Sequence, residues 1–444
     1  MFAALFSSIL SSLIIAAHFF RFGEPGLVCV SVLAPLLLLS RKRWGLRAFQ
    51  ILLSLAAAVW LHTLYRLATH RFAMGEPWIR LSLILGGVSL FAFFSAWLLG
   101  RESFRVRFGG GDTSRVQVWT FLLTAVLLAV VQIVVTQPPV GPMLLIERFF
   151  PTWGWFEVFV LAVYAAWVSG KMLNVRGIPV LRNRLWAFFS AVFFGQLLIG
   201  LWGVLGEVPE ATRFLMTGNL HLPIPAMIVA GPLFRGSGFF MLILFAATVL
   251  LVGPAWCSHL CYIGAWDSVM ATKRKRPVRL PLWREALRRW VLLGVVGLAL
   301  GLRFMGVEGV WAASLAAVFG VAGVVVMFIG SRKTGMMTHC TSYCPIGVMA
   351  TIMGRVSPFR LKINSSCTDC GACTLACRYD ALKREDVVER KAGIACTLCG
   401  DCMSRCKPQS IEYQFLGLKG PRARAFFVVL IVSLHALFLG VARM

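Results

Sequence analysis

Eight cysteines between Cys367 and Cys406 carry the clearest chemistry in this 444-residue chain. They read CTDCGACTLAC (Cys367, Cys370, Cys373, Cys377) and CTLCGDCMSRC (Cys396, Cys399, Cys402, Cys406), two copies of C-x2-C-x2-C-x3-C. Three thiolates on one tight loop can hold three corners of an iron–sulfur cube, and the fourth, a turn further on, reaches the cube held by the other loop. The spacing therefore pairs Cys367, Cys370 and Cys373 with Cys406, and Cys396, Cys399 and Cys402 with Cys377. Gly371 and Gly400, each following a second cysteine, suit a loop that passes close to an inorganic core. Structural zinc is the competing use of such thiols, but it asks for two C-x2-C pairs and leaves a duplicated run of four unexplained. The pattern points to a module holding two [4Fe-4S] clusters, whose chemistry is one-electron transfer.

A second set of thiols precedes that module. The chain reads CSHLCYIG from Cys257 and CTSYCPIG from Cys340, each after an apolar run, which suggests two pseudo-equivalent halves. C-x3-C on a helical turn places both sulfurs on one face, so Cys257, Cys261, Cys340 and Cys344 have two readings. They form a four-thiolate site for a third iron–sulfur cluster, or they are packed or redox-active thiols. His259 and His339 beside them are alternate ligands. His18, His62 and His435 fall on predicted helices and could in principle face one another across a b-type haem, but single histidines at helix ends more often bond locally, and haem is not expected. Glu207, Glu210 and His221 lie in a Pro- and Gly-broken stretch, 206–235, that reads as an interfacial or re-entrant segment. They are candidate proton acceptors for a quinol, or solvated loop residues.

Membrane-spanning helices must position these groups. The chain is 59% hydrophobic and 14% charged, with a mean hydropathy of +0.79, outside the range of soluble globular proteins. Apolar runs of near-spanning length occur at about 2–20, 26–40, 48–65, 81–100, 116–136, 155–170, 186–205, 237–255, 290–305, 310–330 and 425–442. The expected fold is a polytopic α-helical membrane protein of about 11 transmembrane helices with a small α+β two-cluster module at 358–416. The net charge of +26 reflects orientation and excludes nothing but a need for a polyanionic partner, because the cations sit in short loops. Loops 41–47, 101–115, 171–184 and 273–289 hold 20 Lys and Arg, against 7 in loops 21–25, 66–80, 137–152 and 206–235. The bias places every cysteine motif on the cytoplasmic side, where thiols stay reduced.

Four parts are expected: an N-terminal four-helix bundle, 1–105; a membrane core, 116–357; the cluster module, 358–416; and a last helix, 425–442. Gly109, Gly110 and Gly111 mark the first boundary. The outer loop after the fifth run carries Pro138, Pro139, Pro142, Glu147 and the aromatics Phe149, Phe150, Trp153 and Trp155, which fit an interfacial belt. The basic stretch 273–289 is read as lying on an anionic leaflet.

Over about 116–416 the chain resembles the membrane-bound 4Fe-4S polyferredoxins. It is most similar to the NapH-type quinol dehydrogenase component, with NosR-type regulators and FixG/CcoG-type assembly proteins more distant. The resemblance rests on the combination of two C-x3-C motifs around a helical hairpin with the two-cluster run. Tyr262 stands where the family tends to proline, and Arg378 follows the fourth cysteine of the first run. The resemblance implies that electrons pass between the quinone pool and a reductase or metalloenzyme in a bacterial inner membrane, and that Cys257, Cys261, Cys340 and Cys344 are the family's motif cysteines. The expected partners are lipid, quinone or quinol, and a redox protein (a cytochrome, a ferredoxin or a reductase subunit), with no nucleic acid. The expected role is that of a quinol dehydrogenase-type subunit. An assembly factor that feeds electrons to a metalloenzyme, or a membrane redox regulator, is the alternative.

Overall fold

The computed structural model describes residues 2–40, 43–99, 112–135, 144–212, 214–215 and 222–441. Its contacts form two compact units, Met1–Gly170 and Lys171–Met444. The expected boundary at 109–111 lies outside the described residues, as do Pro138, Pro139, Pro142 and His221. Instead of closing near residue 105, the first unit runs on through two further helices. All eleven predicted apolar runs coincide with helix. Eight helices among the described residues are long and apolar enough to cross a membrane, fewer than the eleven expected. The second run forms a short apolar helix, and the run at 290–305 lies in a helix whose first turns carry several arginines.

The first unit contains α1 (Phe2–Arg21), α2 (Pro25–Leu33), α3 (Arg43–Ala73), α4 (Ile79–Leu99), α5 (Asp112–Val135) and most of α6 (Gly154–Met172). Phe49, Leu53, Leu99, Phe121 and Ala162 are buried together in its core. Small polar residues tie its helices: the Ser11 and Ser95 hydroxyls lie 3.2 Å apart, and Ser89 donates to the Ala57 carbonyl at 2.9 Å. Such residues permit close approach where water supplies no drive for helix association. His18 packs on Trp60 with ring centres 4.5 Å apart, and His62 is exposed on α3. Glu147 accepts from the amides of Thr152 and Gly154 and so caps the start of α6.

The second unit contains α7 (Ile178–Leu205), α8 (Met227–Arg235), α9 (Phe240–Val252), α10 (Tyr262–Thr272), α11 (Arg284–Phe304), α12 (Gly309–Val325) and α13 (Pro345–Met353). The cluster module follows as β1 (Phe359–Ile363), α14 (Ala372–Ala376), α15 (Arg384–Val388), α16 (Asp401–Arg405), β2 (Ile411–Phe415) and β3 (Leu418–Lys419). β1 and β2 pair antiparallel with Leu361 opposite Tyr413. Alternation in β1 buries Phe359, Leu361 and Ile363. The sheet rests on α17 (Gly420–Gly440), where Tyr413 stacks on Phe427 at 4.7 Å and Phe359 meets the same ring edge-on at 5.4 Å.

Candidate metal centres

The duplicated runs form two cysteine quartets, and the chain crosses between them. Gly371 and Gly400 are left-handed (φ +69° and +78°) and open α14 and α16, which carry Cys373 and Cys402 on their first turns. A Cβ on Gly400 would lie 3.1 Å from the Tyr413 hydroxyl, which itself donates to the Leu398 carbonyl. Cys377 and Cys406 end the two short helices in one extended conformation (φ −78°, ψ 101° and φ −80°, ψ 102°). Cys367, Cys370, Cys373 and Cys406 line a single cavity with Ile363, Val387 and Ile411. Cys377 lies within electrostatic reach of Cys396, and Cys402 within reach of Cys399, Cys396 and Cys377.

The two quartets differ in setting. Cys370 is exposed, and the Ala372 amide holds its thiol below the ordinary value. Burial pushes the thiols of Cys377, Cys396 and Cys399 up to about 12. Ligation there must strip protons from neutral thiols, so loading of the enclosed quartet is linked to pH. Donors already face the sulfurs: the Ala381 amide lies 3.2 Å from Cys377 Sγ and the Ser410 hydroxyl 3.2 Å from Cys406 Sγ.

The C-x3-C repeat is also a repeat of backbone. Each motif is a wide π-type turn, Trp256–Leu260 and His339–Tyr343, closed by the amides of Cys261 (to Trp256 O, 3.0 Å) and Cys344 (to His339 O, 2.9 Å). Cys261 and Cys344 are extended and cap α10 and α13. The repeated Ile-Gly has a steric cause. A Cβ on Gly264 would lie 3.1 Å from the Cys257 carbonyl and 2.5 Å from the Trp186 ring, and one on Gly347 would lie 2.7 Å from the Cys340 carbonyl. Only glycine lets each helix start fold back this closely over the first cysteine of its own turn.

Cys257, Cys261, Cys340 and Cys344 line one cavity with Arg288, Tyr379 and Thr397. Among the described residues, the only three metal-ligating atoms that fall within 4.8 Å of one another belong to Asp267, His339 and Cys340. The four sulfurs are thus spread beyond the tetrahedral edge of about 3.8 Å that 2.3 Å bonds to one zinc ion would require. Amides of Ile263 and Gly264 face Cys261, and those of Ile346 and Gly347 face Cys344. Arg288 is buried and its Nε has no hydrogen-bond partner, and no carboxylate lines the cavity. Helix-start amides and a buried guanidinium suit an occupant of net negative charge, as a cluster with four thiolates is. Asp267 accepts from the Cys340 amide at 2.9 Å and from the Ser331 hydroxyl, and burial pushes its carboxyl up to about 6. His259 is buried, with Nδ1 2.9 Å from the Ser258 hydroxyl.

The enclosed quartet and the C-x3-C turns are joined by buried polar contacts. Arg182, on α7, pairs with Asp401 beside Cys402 (2.7 and 3.2 Å) and donates to the Ser258 carbonyl at 3.1 Å. Ser258 in turn donates to the Thr397 carbonyl at 2.8 Å, and the Tyr379 hydroxyl to the Cys257 carbonyl at 3.2 Å. Arg284 reaches Asp380 at 2.6 Å. Arg378 donates to the carbonyls of Gly335 and Arg274, so the residue after the fourth cysteine of the first run fastens the module to the segments after α10 and before the second C-x3-C turn. Composition gave no warning of these roles: Arg182, Arg284 and Arg288 belong to basic loops that otherwise suit an anionic leaflet.

A protein family described as a 4Fe-4S binding domain matches residues 234–281 and 314–364. The chain is an iron–sulfur protein. The matched segments of this iron–sulfur protein hold the two C-x3-C turns, and end just before Cys367. No curated protein and no solved structure matches the chain. Of the expected quinol-binding residues, Glu207 and Glu210 are exposed, and His221 lies outside the described residues. His435 is buried against Phe189 in α7 at 4.9 Å.

Proposed function

We propose that the chain is a membrane electron-transfer protein, a quinol dehydrogenase-type subunit that passes electrons between the quinone pool and a partner redox protein. The order of the three cysteine quartets carries this reading. The C-x3-C quartet shares Tyr379 and Thr397 with the enclosed module quartet, and the outer quartet reaches the surface at Cys370. A [4Fe-4S] cluster in each quartet would supply one-electron transfer between fixed thiolates. The remaining work belongs to the chain. Crossed pairing through Cys377 and Cys406 locks the two module loops together, so neither quartet forms without the other loop. Arg182, Tyr379 and Ser258 hold the enclosed quartet against the membrane-side turns, while Tyr379 and Thr397 wall out water. The exposed edge at Cys370 and Leu375 faces a partner. A quinol oxidised by this route loses two electrons, one at a time, and two protons that pass to water. The excess of Lys and Arg in one set of loops supports a cytoplasmic module in a bacterial inner membrane.

The test is reduction of the purified full-length chain by a short-chain quinol, followed by bleaching of iron–sulfur absorbance. Quinol is expected to bleach the wild type, and dithionite but not quinol to bleach the module clusters of Cys340→Ser. Bleaching only by a soluble ferredoxin, in both proteins, would contradict the quinol reading and support the assembly-factor alternative.

A further inference from the structure

A second cavity, of about 330 Å³, adjoins the C-x3-C quartet on its apolar side and shares Cys344 with it. Its walls are α7 at Phe194, the broken segment Leu222–Ala226, α10 at Trp266, α12 from Ala317 onward, and the second C-x3-C turn. Flat rings dominate: Phe319 and Tyr343 stack at 4.6 Å, and Phe194 lies 4.7 Å from Trp266. The Tyr343 hydroxyl is fixed on the Phe319 carbonyl, and Trp266 Nε1 on the Ser190 hydroxyl. His339 is the other polar group in the wall; it is buried and its Nδ1 has no partner. Val321 on the rim is exposed beside Val318 on the outer face of α12, so the cavity opens onto apolar surface.

We propose that this cavity, and not the acids of the 206–215 stretch, binds the ring of a membrane quinone. This rests on the electron-transfer reading above. A planar apolar ring with polar groups at opposite ends matches aromatic walls with one free polar group, and the volume falls in the range of small-ligand sites. Entry from hydrocarbon matches a ligand that dissolves in the bilayer. Placement against Cys344 sets the ring beside the ligand of a redox centre. Pro223 and Pro225 explain the irregular backbone at this depth: they cannot donate, and the segment lies against protein, where non-helical chain is tolerated within a membrane.

The experiment uses the full-length chain in nanodiscs, an azido-benzoquinone photoprobe, and peptide mapping. Label is expected in 222–226 or 317–327, competed by decylubiquinone. Val324→Phe and Ala317→Phe, which fill the cavity, are expected to weaken labelling about tenfold or more while the dithionite-reduced spectrum stays unchanged. Label elsewhere, or label undiminished in both filled variants, would overturn the site even if quinol still reduced the protein. A cavity that retains only a lipid acyl chain, with no quinone label, would also overturn it. Label at the cavity without any quinol reduction would keep the site and sink the electron-transfer reading, so the two fail separately.

Discussion

Arg288 brings a guanidinium to the cavity walled by Cys257, Cys261, Cys340 and Cys344, and its Nε has no hydrogen-bond partner. A fixed positive charge there favours the more negative, reduced state of whatever the thiolates hold. Arg288→Gln is therefore expected to lower the midpoint potential of the membrane-side centre by tens of millivolts, with about 60 mV corresponding to ~1.4 kcal/mol for one electron. Redox titration followed by EPR reads this directly. The signal of the quartet of Cys367, Cys370, Cys373 and Cys406 should stay where it is, because Arg288 does not line that cavity. An unchanged potential at the membrane-side centre would mean that the guanidinium is solvated or turned away. The neighbouring Arg284, paired with Asp380 at 2.6 Å, provides the internal comparison, since its charge is already compensated.

At the scale of elements, the cluster module and the C-x3-C turns form a joint built around Arg182. Its guanidinium spans Asp401 on α16 and the Ser258 carbonyl of the first turn. Removing one partner of a buried pair leaves an uncompensated charge and costs about 3–5 kcal/mol, whereas replacing both by apolar groups is often neutral. Arg182→Met is expected to open the segment around residues 390–407 to limited proteolysis and to lower bound iron. Adding Asp401→Leu should restore most of the resistance. A double variant as labile as the single one would show that Arg182 acts through Ser258 alone. How much of this joint could be read from sequence follows from what spacing encodes. C-x2-C-x2-C-x3-C fixes which thiols share a cube, because a tight loop and one further turn leave little freedom. The crossed assignment of Cys377 and Cys406 is argued from sequence for that reason. The convergence of two C-x3-C motifs about 80 residues apart was legible only as a repeat, since packing decides it. Arg182 and Arg288 were hidden because a cation in a short loop has the same composition whether it faces lipid headgroups or a buried carboxylate. The repeated Ile-Gly did hold a local signal, and its meaning became clear once Gly264 and Gly347 were seen against the carbonyls of Cys257 and Cys340.

Across the whole molecule, apolar length was the most legible property and domain division the least. Every predicted apolar run coincides with helix, yet only eight helices among the described residues meet the length and apolarity of a span; arginines intrude into α11, and α2 is short. The contact-based division falls after Gly170, beyond the glycine run that composition suggests, because helix packing and not local flexibility sets it. The second unit holds all twelve motif cysteines, and we read them as three cluster-binding quartets. That gathering is the central claim, and iron and acid-labile sulfide counted per purified chain, with EPR during redox titration, test it most directly. Three cubes require about twelve irons, and the share beyond about eight should disappear in Cys340→Ser and in Gly347→Ala while the module signals remain. About eight irons in the wild type, with no loss in either variant, would contradict the account and leave the C-x3-C turns without a cluster.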